Sequence, residues 1–563
     1  MRLPENEKIK EVLLAGSYVT KEDIEKADKY LASRKGELVD YLLGEGVITK
    51  NLLGQAIAES YGVTYADLST QVPAQEDVLK LPKEVGVSFR AIIHKENEKE
   101  VTVATDDPSQ ADLLPAIQQL FPQKTVAVAY SLPDDLDAGL IHYRESLDLR
   151  FKKIFAETER VAPEVVVEII DDAIVNRASD IHFEPQDDEV IIRVRIDGVL
   201  RQAASIGKKY YENILNLIKV NAHMRIDEHL AAQDGSMRIK KGDSNIDMRI
   251  SVMPTLNGEK VTIRILSENI KSFSLSEIGL SERDQELLVA ATKKPFGMIL
   301  VTGPTGSGKT TTLYGALRIL NRPEVNITTI EDPVEYKIQG VNHIQVNPLT
   351  NLTFAKGLRS IVRQDPDIIL VGEIRDKETA EIAVNAALTG HLLLSSFHAN
   401  DAPTAIPRLI DMGVESFLLS STLELIMAQR LVRKICQTCR VSMTVKVEDL
   451  AKSNPILKEY FKGESVNLYA AKGCKVCAGT GYIGRSAIFE FIEMTREIKD
   501  LILENPSTQE IWNLARQQGA RSLFEDGIEK VKNGITTVEE VLRVAPPILL
   551  NRPVKTKKAS KKK

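Results

Sequence analysis

The octapeptide Gly303-Pro304-Thr305-Gly306-Ser307-Gly308-Lys309-Thr310 constrains this chain more than any other segment, because its pattern has a mechanism only between a strand and a helix. Its flanks meet that demand. Met298-Ile299-Leu300-Val301 is an apolar run of strand length, and Thr311-Thr312-Leu313-Tyr314-Gly315-Ala316 continues as a helix. Glycines let backbone N–H groups curl round phosphate oxygens, and a helix N-terminus adds partial positive charge. Lys309 is then placed for the β- and γ-phosphates and Thr310 for Mg²⁺, with Thr311 completing the binding turn. A glycine-rich turn matching by chance would not bring strand, Lys-Thr and helix in this order. The segment predicts a nucleoside triphosphate site.

Length and composition bound the rest. A chain of 563 residues exceeds one hydrophobic core, so three or four domains are expected. A net charge of −6 gives no general attraction to nucleic acid or anionic lipid. No stretch approaches the roughly 20 apolar residues of a membrane span, and Met1-Arg2-Leu3-Pro4-Glu5 lacks a signal-peptide core. The expectation is a cytoplasmic protein whose membrane contact is peripheral. Four cysteines are too few for a disulfide framework, and they form two C-x-x-C pairs.

The predicted fold class is α/β multidomain. Residues 1–70 read as short amphipathic helices, with Ile24, Ala27, Tyr30 and Leu31 on one stripe and Leu38, Leu42 and Leu43 on another. Residues 71–145 read as a small α+β domain, with strands at Val101–Ala104 and Thr125–Tyr130 around a helix from Ala111 to Phe121. A charged stretch, Tyr143 to Arg160, reads as a link. A domain over 146–266 opens with a helix at Ala162–Asn176 and has strands at Val190–Ile196, Met248–Val252 and Val261–Leu266. A polar linker at 267–281 precedes the nucleotide-binding domain at 282–546, in which the cysteine region (430–485) and further helices follow Gln429. The basic tail at 547–563, ending Lys561-Lys562-Lys563, reads as a solvated disordered run.

Further chemistry follows the phosphate loop. The strand Ile327–Ile330 delivers Glu331-Asp332-Pro333, two acids suited to holding a metal or an attacking water; in isolation the pair reads first as a plain acidic turn. The strand Asp367–Val371 runs into Gly372-Glu373, resembling a Walker B segment although it ends in Gly-Glu and not in aspartate. Glu373 at that edge is placed to orient or deprotonate the water attacking the γ-phosphate. The run His391–His398 is another buried strand of the same parallel sheet, so His398 at its C-terminal end is a candidate phosphate sensor and His391 a strand-start residue. Cys436, Cys439, Cys474 and Cys477 have the two-pair form of a structural Zn²⁺ site, and four thiolates leave no open position for catalysis. Arginines on upstream strands (Arg193, Arg195, Arg201, Arg238, Arg249 and Arg264) are either a solvated basic face or contain arginine fingers.

Several further landmarks carry a resemblance. They are Ala178-Ser179-Asp180-Ile181-His182-Phe183-Glu184-Pro185, Ile196-Asp197-Gly198, Gln233-Asp234-Gly235, and Met253-Pro254-Thr255-Leu256-Asn257-Gly258-Glu259-Lys260. With an aspartate box (Ile330 to Glu335), a Walker B run (Arg363 to Glu373) and a histidine box (Thr389 to Asp401), they resemble the secretion-superfamily ATPases of type II secretion and type IV pilus assembly. That resemblance implies a homo-hexamer peripheral to the inner membrane, built from a PAS-like α+β domain and a RecA-like P-loop domain with ATP and Mg²⁺ between them. It implies hydrolysis that moves an inner-membrane platform protein, and through it pilins. It also implies the base role for Glu373, a water or Mg²⁺ role for Glu331 and Asp332, phosphate sensing for His398, and arginine-finger duty for Arg195, Arg249 and Arg264.

The cysteine clip and the long front region resemble the assembly and export branch, which points to pilin polymerisation, with type II secretion as the alternative. The front region also resembles a cyclic-di-GMP-binding module, but Glu37 and Val39 stand where that pattern has arginine and glycine. An acid in place of a phosphate-binding arginine argues against that ligand, and docking onto a membrane partner is the expected role. A nucleic-acid translocase is the remote alternative, opposed by the acidic charge and the lack of an aromatic-basic track. A degenerate nucleotide scaffold is opposed by the intact phosphate loop.

Overall fold

The computed structural model describes residues 6–32, 38–44, 47–70, 73–144, 147, 149–151, 154, 163–241, 244–266, 274–474, 476–477 and 479–547. Most of the link at 143–160, the start of the linker at 267–281, Glu37, Lys475 and the tail from 548 onward lie outside them. The chain divides into two compact units. One comprises Met1–Ser272, Cys436–Cys439 and Lys472–Gly484; the other comprises Phe273–Ile435, Arg440–Ala471 and Arg485–Lys563.

In the first unit, helices Asn6–Ala15, Lys21–Ala32, Leu38–Gly44 and Lys50–Ser60 come first. Ile24, Ala27, Leu38 and Leu42 are buried as their stripes predict, while the side chains of Tyr30 and Leu31 lie outside the described residues. Strands β1 (Thr64–Tyr65), β2 (Ala91–Glu96), β3 (Glu100–Thr105) and β4 (Thr125–Tyr130) form a sheet in the order β1-β4-β3-β2, with the helix Leu113–Leu120 between β3 and β4. β1 arises from the stretch read as helical and pairs parallel to β4.

A second sheet contains β5 (Ala178–Pro185), β6 (Glu189–Ile196), β7 (Val199–Gly207), β8 (Gln233–Lys241), β9 (Ser244–Thr255) and β10 (Gly258–Leu266), in the order β7-β6-β5-β10-β9-β8. Every pair in it is antiparallel. Period-two alternation sends Ile181, Phe183, Ile192, Val194, Ile250, Val252, Val261 and Ile263 into one core with the helices Pro163–Val175 and Lys208–Asn221. Asp197 (φ 49°) and Gly198 (φ 83°) turn β6 into β7, the Asp-Gly pair supplying two consecutive left-handed residues.

The second unit is built on β11 (Gly297–Thr302), β12 (Ile327–Glu331), β13 (Val341–Gln345), β14 (Ile368–Ile374), β15 (Leu392–Phe397), β16 (Leu423–Ile435) and β19 (Tyr482–Glu493), with β17 (Arg440–Lys446) and β18 (Ser465–Ala471) as a separate two-stranded antiparallel sheet. The seven strands lie in the order β13-β12-β14-β15-β11-β16-β19, and β13 to β16 pair in parallel. Both faces are apolar, as a parallel sheet covered by helices requires. Met298, Leu300, Ile369, Val371 and Leu393 enter one core, and Ile299, Val301, Leu370, Leu392 and Leu394 the other. Strands β16 to β19 were not anticipated; the region beyond Gln429 was expected to hold the cysteines and helices, and Gln429 itself lies inside β16. The expected linker contains the helix Leu275–Ile278, closed by a reciprocal Ser274–Glu277 cap.

Candidate nucleotide site and metal centre

All of β11 is buried, and the helix Lys309–Leu320 follows the loop directly. Gly303 (φ 147°), Gly306 (φ 75°) and Gly308 (φ 87°) take backbone angles that side chains rarely adopt. At Gly303 there is a second reason for glycine. A Cβ there would stand 2.5 Å from the Gln429 carbonyl oxygen, whereas at Gly306 it would meet nothing within 4 Å. Gln429 underpins the loop from β16 and accepts a hydrogen bond from Thr312 Oγ1 at 2.8 Å. The sequence reading missed Gln429; its signal was a lone amide after Ile426-Met427-Ala428.

Lys309 Nζ donates to the carbonyls of Gly303 (2.9 Å) and Pro304 (3.0 Å), folding over the loop it would serve. Burial lowers its pKa, opposed by the charge of Glu373 and reinforced by Arg430. Ser307 Oγ is buried and has no hydrogen-bond partner among the described residues. Thr310 and Thr311 occupy the first turn of the helix, where backbone N–H groups lack intrahelical acceptors. An orphaned hydroxyl, a left-handed glycine turn and a lysine beside a helix N-terminus fit a polyphosphate.

Glu373 lies near the C-terminal end of β14 with its side chain 12% exposed. Oε1 is paired with Arg375 at 2.5 Å and Oε2 with His398 Nε2 at 3.1 Å. Its neighbour Glu331 is only 3% exposed, and both its carboxylate oxygens accept hydrogen bonds. It accepts from Tyr314 OH, from Thr329 Oγ1 at 2.6 Å and from His343 Nδ1 at 3.0 Å. Ile338 N–H donates to His343 Nε2 at 3.0 Å, which leaves the imidazole proton on Nδ1 facing the carboxylate. Burial, then the nearby Glu331, push the Tyr314 pKa well up. Asp332, in contrast, is exposed. His391 Nδ1 bonds the Ala386 carbonyl at 2.8 Å, which ties the start of β15 to the helix Lys377–Leu388.

In the first unit, one cross-strand row reads Leu200, Arg195, Asp180, Arg264, Arg249, Ser236. All three arginines singled out from the sequence thus lie in register with a single carboxylate. Asp180 receives Arg264 Nε at 3.0 Å and has Arg195 Nε at 3.6 Å. Of the others, Arg193 is held by Glu184 at 2.6 Å and Arg238 by Asp247 at 2.5 Å, while Arg201 stands opposite Val194.

The four cysteines meet within the first unit, their Sγ atoms all within 4.8 Å of one another. Cys436–Cys474 and Cys439–Cys477 are 3.8 Å apart and Cys474–Cys477 3.7 Å. Four sulfurs at about 2.3 Å from a central zinc would be about 3.8 Å apart, so the spacing fits a tetrahedral ion. Cys474 N–H and Gly481 N–H both donate to Cys477 Sγ, at 3.1 and 3.2 Å, which favours a thiolate. Gly484 N–H, at the end of the clip, donates to Asp197 Oδ2 at 2.8 Å.

Comparison with known proteins places this geometry. Residues 156–543 match the model of the type II/IV secretion system protein family, and residues 61–148 match an MshEN domain, so that the Glu37–Ile48 segment falls outside both. The type IV pilus assembly ATPase PilB of Thermus thermophilus is 37% identical over 525 residues, which is 90% of this chain and 59% of that protein. The chain therefore spans less than two thirds of that relative's length. PilB of Myxococcus xanthus is 36% identical over 95% of this chain and 98% of its own length. Type II secretion system protein E of Pseudomonas aeruginosa is 44% identical over 75% of this chain and 83% of its own. The Legionella pneumophila ATPase DotB has the same kind of fold, with a TM-score of 0.52 at 20% identity over 69% of this chain and 96% of its own. No helix among the described residues is long and apolar enough to cross a membrane. The chain belongs to the type II/IV secretion system protein family, together with these pilus-assembly and type II secretion ATPases.

Proposed function

We propose that this protein is a motor ATPase that hydrolyses ATP with Mg²⁺ and drives type IV pilus assembly through an inner-membrane platform protein, working as a homo-hexamer peripheral to that membrane. The observation that carries the reading is the phosphate loop set in the same parallel sheet as the Glu373–His398 pair. In this reading Gly303 to Thr311 hold the triphosphate, Thr310 takes the Mg²⁺, and Glu373 orients or deprotonates the attacking water. Asp332 and, behind it, Glu331 support that water or the ion, and His398 senses the γ-phosphate. The row of Arg195, Arg249 and Arg264 supplies the candidate arginine fingers, with Asp180 holding two of them until needed. The six-stranded sheet is read as a PAS-like domain and the second unit as a RecA-like domain. The cysteines are read as a structural zinc clip and the front region as a docking module.

Pilus assembly is favoured by the Myxococcus relative, which aligns along almost the whole of both chains. Type II secretion is the second reading, favoured by the higher identity to the Pseudomonas protein. The test is steady-state ATP hydrolysis by the purified chain with either the platform protein's cytoplasmic domain or DNA added. Stimulation by the former supports the reading, and stimulation by DNA alone overturns it. Loss of surface pili, with secretion intact, in a strain lacking the gene separates the two machines.

A further inference from the structure

Glu490 lies on β19 between Ile488 and Ile492, two strand positions buried in the same core. Period-two alternation turns its carboxyl to that apolar face, where it is 4% exposed. Buried carboxylates are ordinarily paired with a cation, and among the described residues none bridges to this one. Its partners are backbone N–H groups. Ala402 N–H donates to Oε1 at 2.8 Å, and the N–H dipole of Leu523, the first residue of the helix Leu523–Lys532, also favours the charged carboxylate.

Ala402 closes the segment that carries His398, and that segment is held at four points. Arg408 holds the His398 carbonyl, Arg430 the Asn400 carbonyl at 3.1 Å, Thr302 Oγ1 the Asp401 carbonyl at 3.4 Å, and Glu490 the Ala402 N–H. Thr302 is the last residue of the strand leading into the phosphate loop. Arg430 is near enough for its charge to act on this carboxyl, yet among the described residues no cation pairs with it directly, and a buried acid that instead fixes this backbone has a use that core packing does not provide.

Resting on the ATPase reading above, we infer that Glu490 is a positioning residue, which anchors the segment after His398 to β19 and thereby holds the imidazole against Glu373. Burial, opposed by the Ala402 N–H and reinforced by the charge of Asp401, raises its pKa, as expected of an acid kept in the core for a purpose.

The experiment is a double-mutant cycle on the full chain. Glu490→Met fills the same volume and accepts neither N–H; Glu490→Gln keeps one acceptor. Turnover, nucleotide affinity and Tm are measured for each variant, alone and with His398→Ala. The inference expects Glu490→Met to lower kcat about tenfold or more with nucleotide affinity held and only a modest fall in Tm from the unpaired Ala402 N–H, and Glu490→Gln to fall between. It expects no further loss in the His398→Ala background, since the two act as a unit. Equal losses in both backgrounds overturn it, as does a joint fall of kcat, affinity and Tm. If His398→Ala turns over normally while Glu373→Gln does not, the ATPase reading stands and this inference fails. Normal turnover by Glu373→Gln overturns both.

Discussion

His398 Nε2 lies 3.1 Å from Glu373 Oε2, so a histidine just past the end of β15 and an acid near the end of neighbouring β14 share one hydrogen bond. A carboxylate held on one side by His398 and on the other by Arg375 has a fixed direction, which a water-activating group needs.

Glu373→Gln keeps the size and one acceptor oxygen while removing the basic carboxylate. Its turnover should fall by about 10²–10⁴-fold with ATP still bound at near-normal affinity. Single-turnover hydrolysis and equilibrium nucleotide binding read the two effects separately, and near-normal turnover would refute the assignment.

Two loop glycines should differ in the nucleotide-free protein. Gly306→Ala meets open space and carries only the left-handed penalty, about 1–2 kcal/mol. Gly303→Ala adds a Cβ 2.5 Å from the Gln429 carbonyl and should lower Tm further while abolishing nucleotide binding. Equal Tm shifts would show that Gln429 does not enforce the glycine.

The purified protein should carry one zinc per chain by elemental analysis. Cys474→Ser should release it and lower Tm by roughly 5 °C or more, because metal binding contributes directly to folding. Metal-free protein whose four thiols react freely without chelator would exclude the clip.

Two buried acids should shape opposite limbs of the pH–stability profile. Burial, set against the Ala402 and Leu523 N–H donors and aided by Asp401 and Glu525, raises the Glu490 carboxyl to about 8. A folded pKa above the unfolded 4.5 gives a contribution that is full below 4.5 and is lost as pH rises through about 8. Burial also pulls Glu540 upward, but Arg543 and Arg433 outweigh it and hold that carboxyl down at about 2. Its contribution is present above 4.5 and is lost as pH falls through about 2. Thermal melts should therefore show Glu490→Gln flattening the loss of Tm as pH rises from about 4.5 to about 8, and Glu540→Gln flattening the loss as pH falls from about 4.5 to about 2. A Tm profile between pH 4.5 and 8 parallel to the wild type in Glu490→Gln would contradict this.

The phosphate loop was legible because its constraint is local: an apolar run, a glycine turn and a helix start lie within some twenty consecutive residues. The pairing of Glu373 with His398 was legible only as far as shared membership of one sheet, since strand order depends on contacts between distant segments. Strand β16 was hidden because Arg430, Arg433 and Lys434 interrupt its apolar pattern. The engagement of Glu331 by Tyr314, Thr329 and His343 was invisible because a pair of adjacent acids gives no sign of which one turns inward. Glu490 did leave a trace, a lone acid inside Ala487-Ile488-Phe489-Glu490-Phe491-Ile492, but nothing in the run names the backbone it would hold.

The alignment of Arg195, Asp180, Arg264 and Arg249 across four strands limits how this protein can change in length. Strand side chains alternate sides, so one residue added or removed within β5 or β10 would drive a guanidinium or the aspartate into oil and bring a core isoleucine out to water. Such strands tolerate indels only in even steps, and even then the partners arrive one rung away from each other.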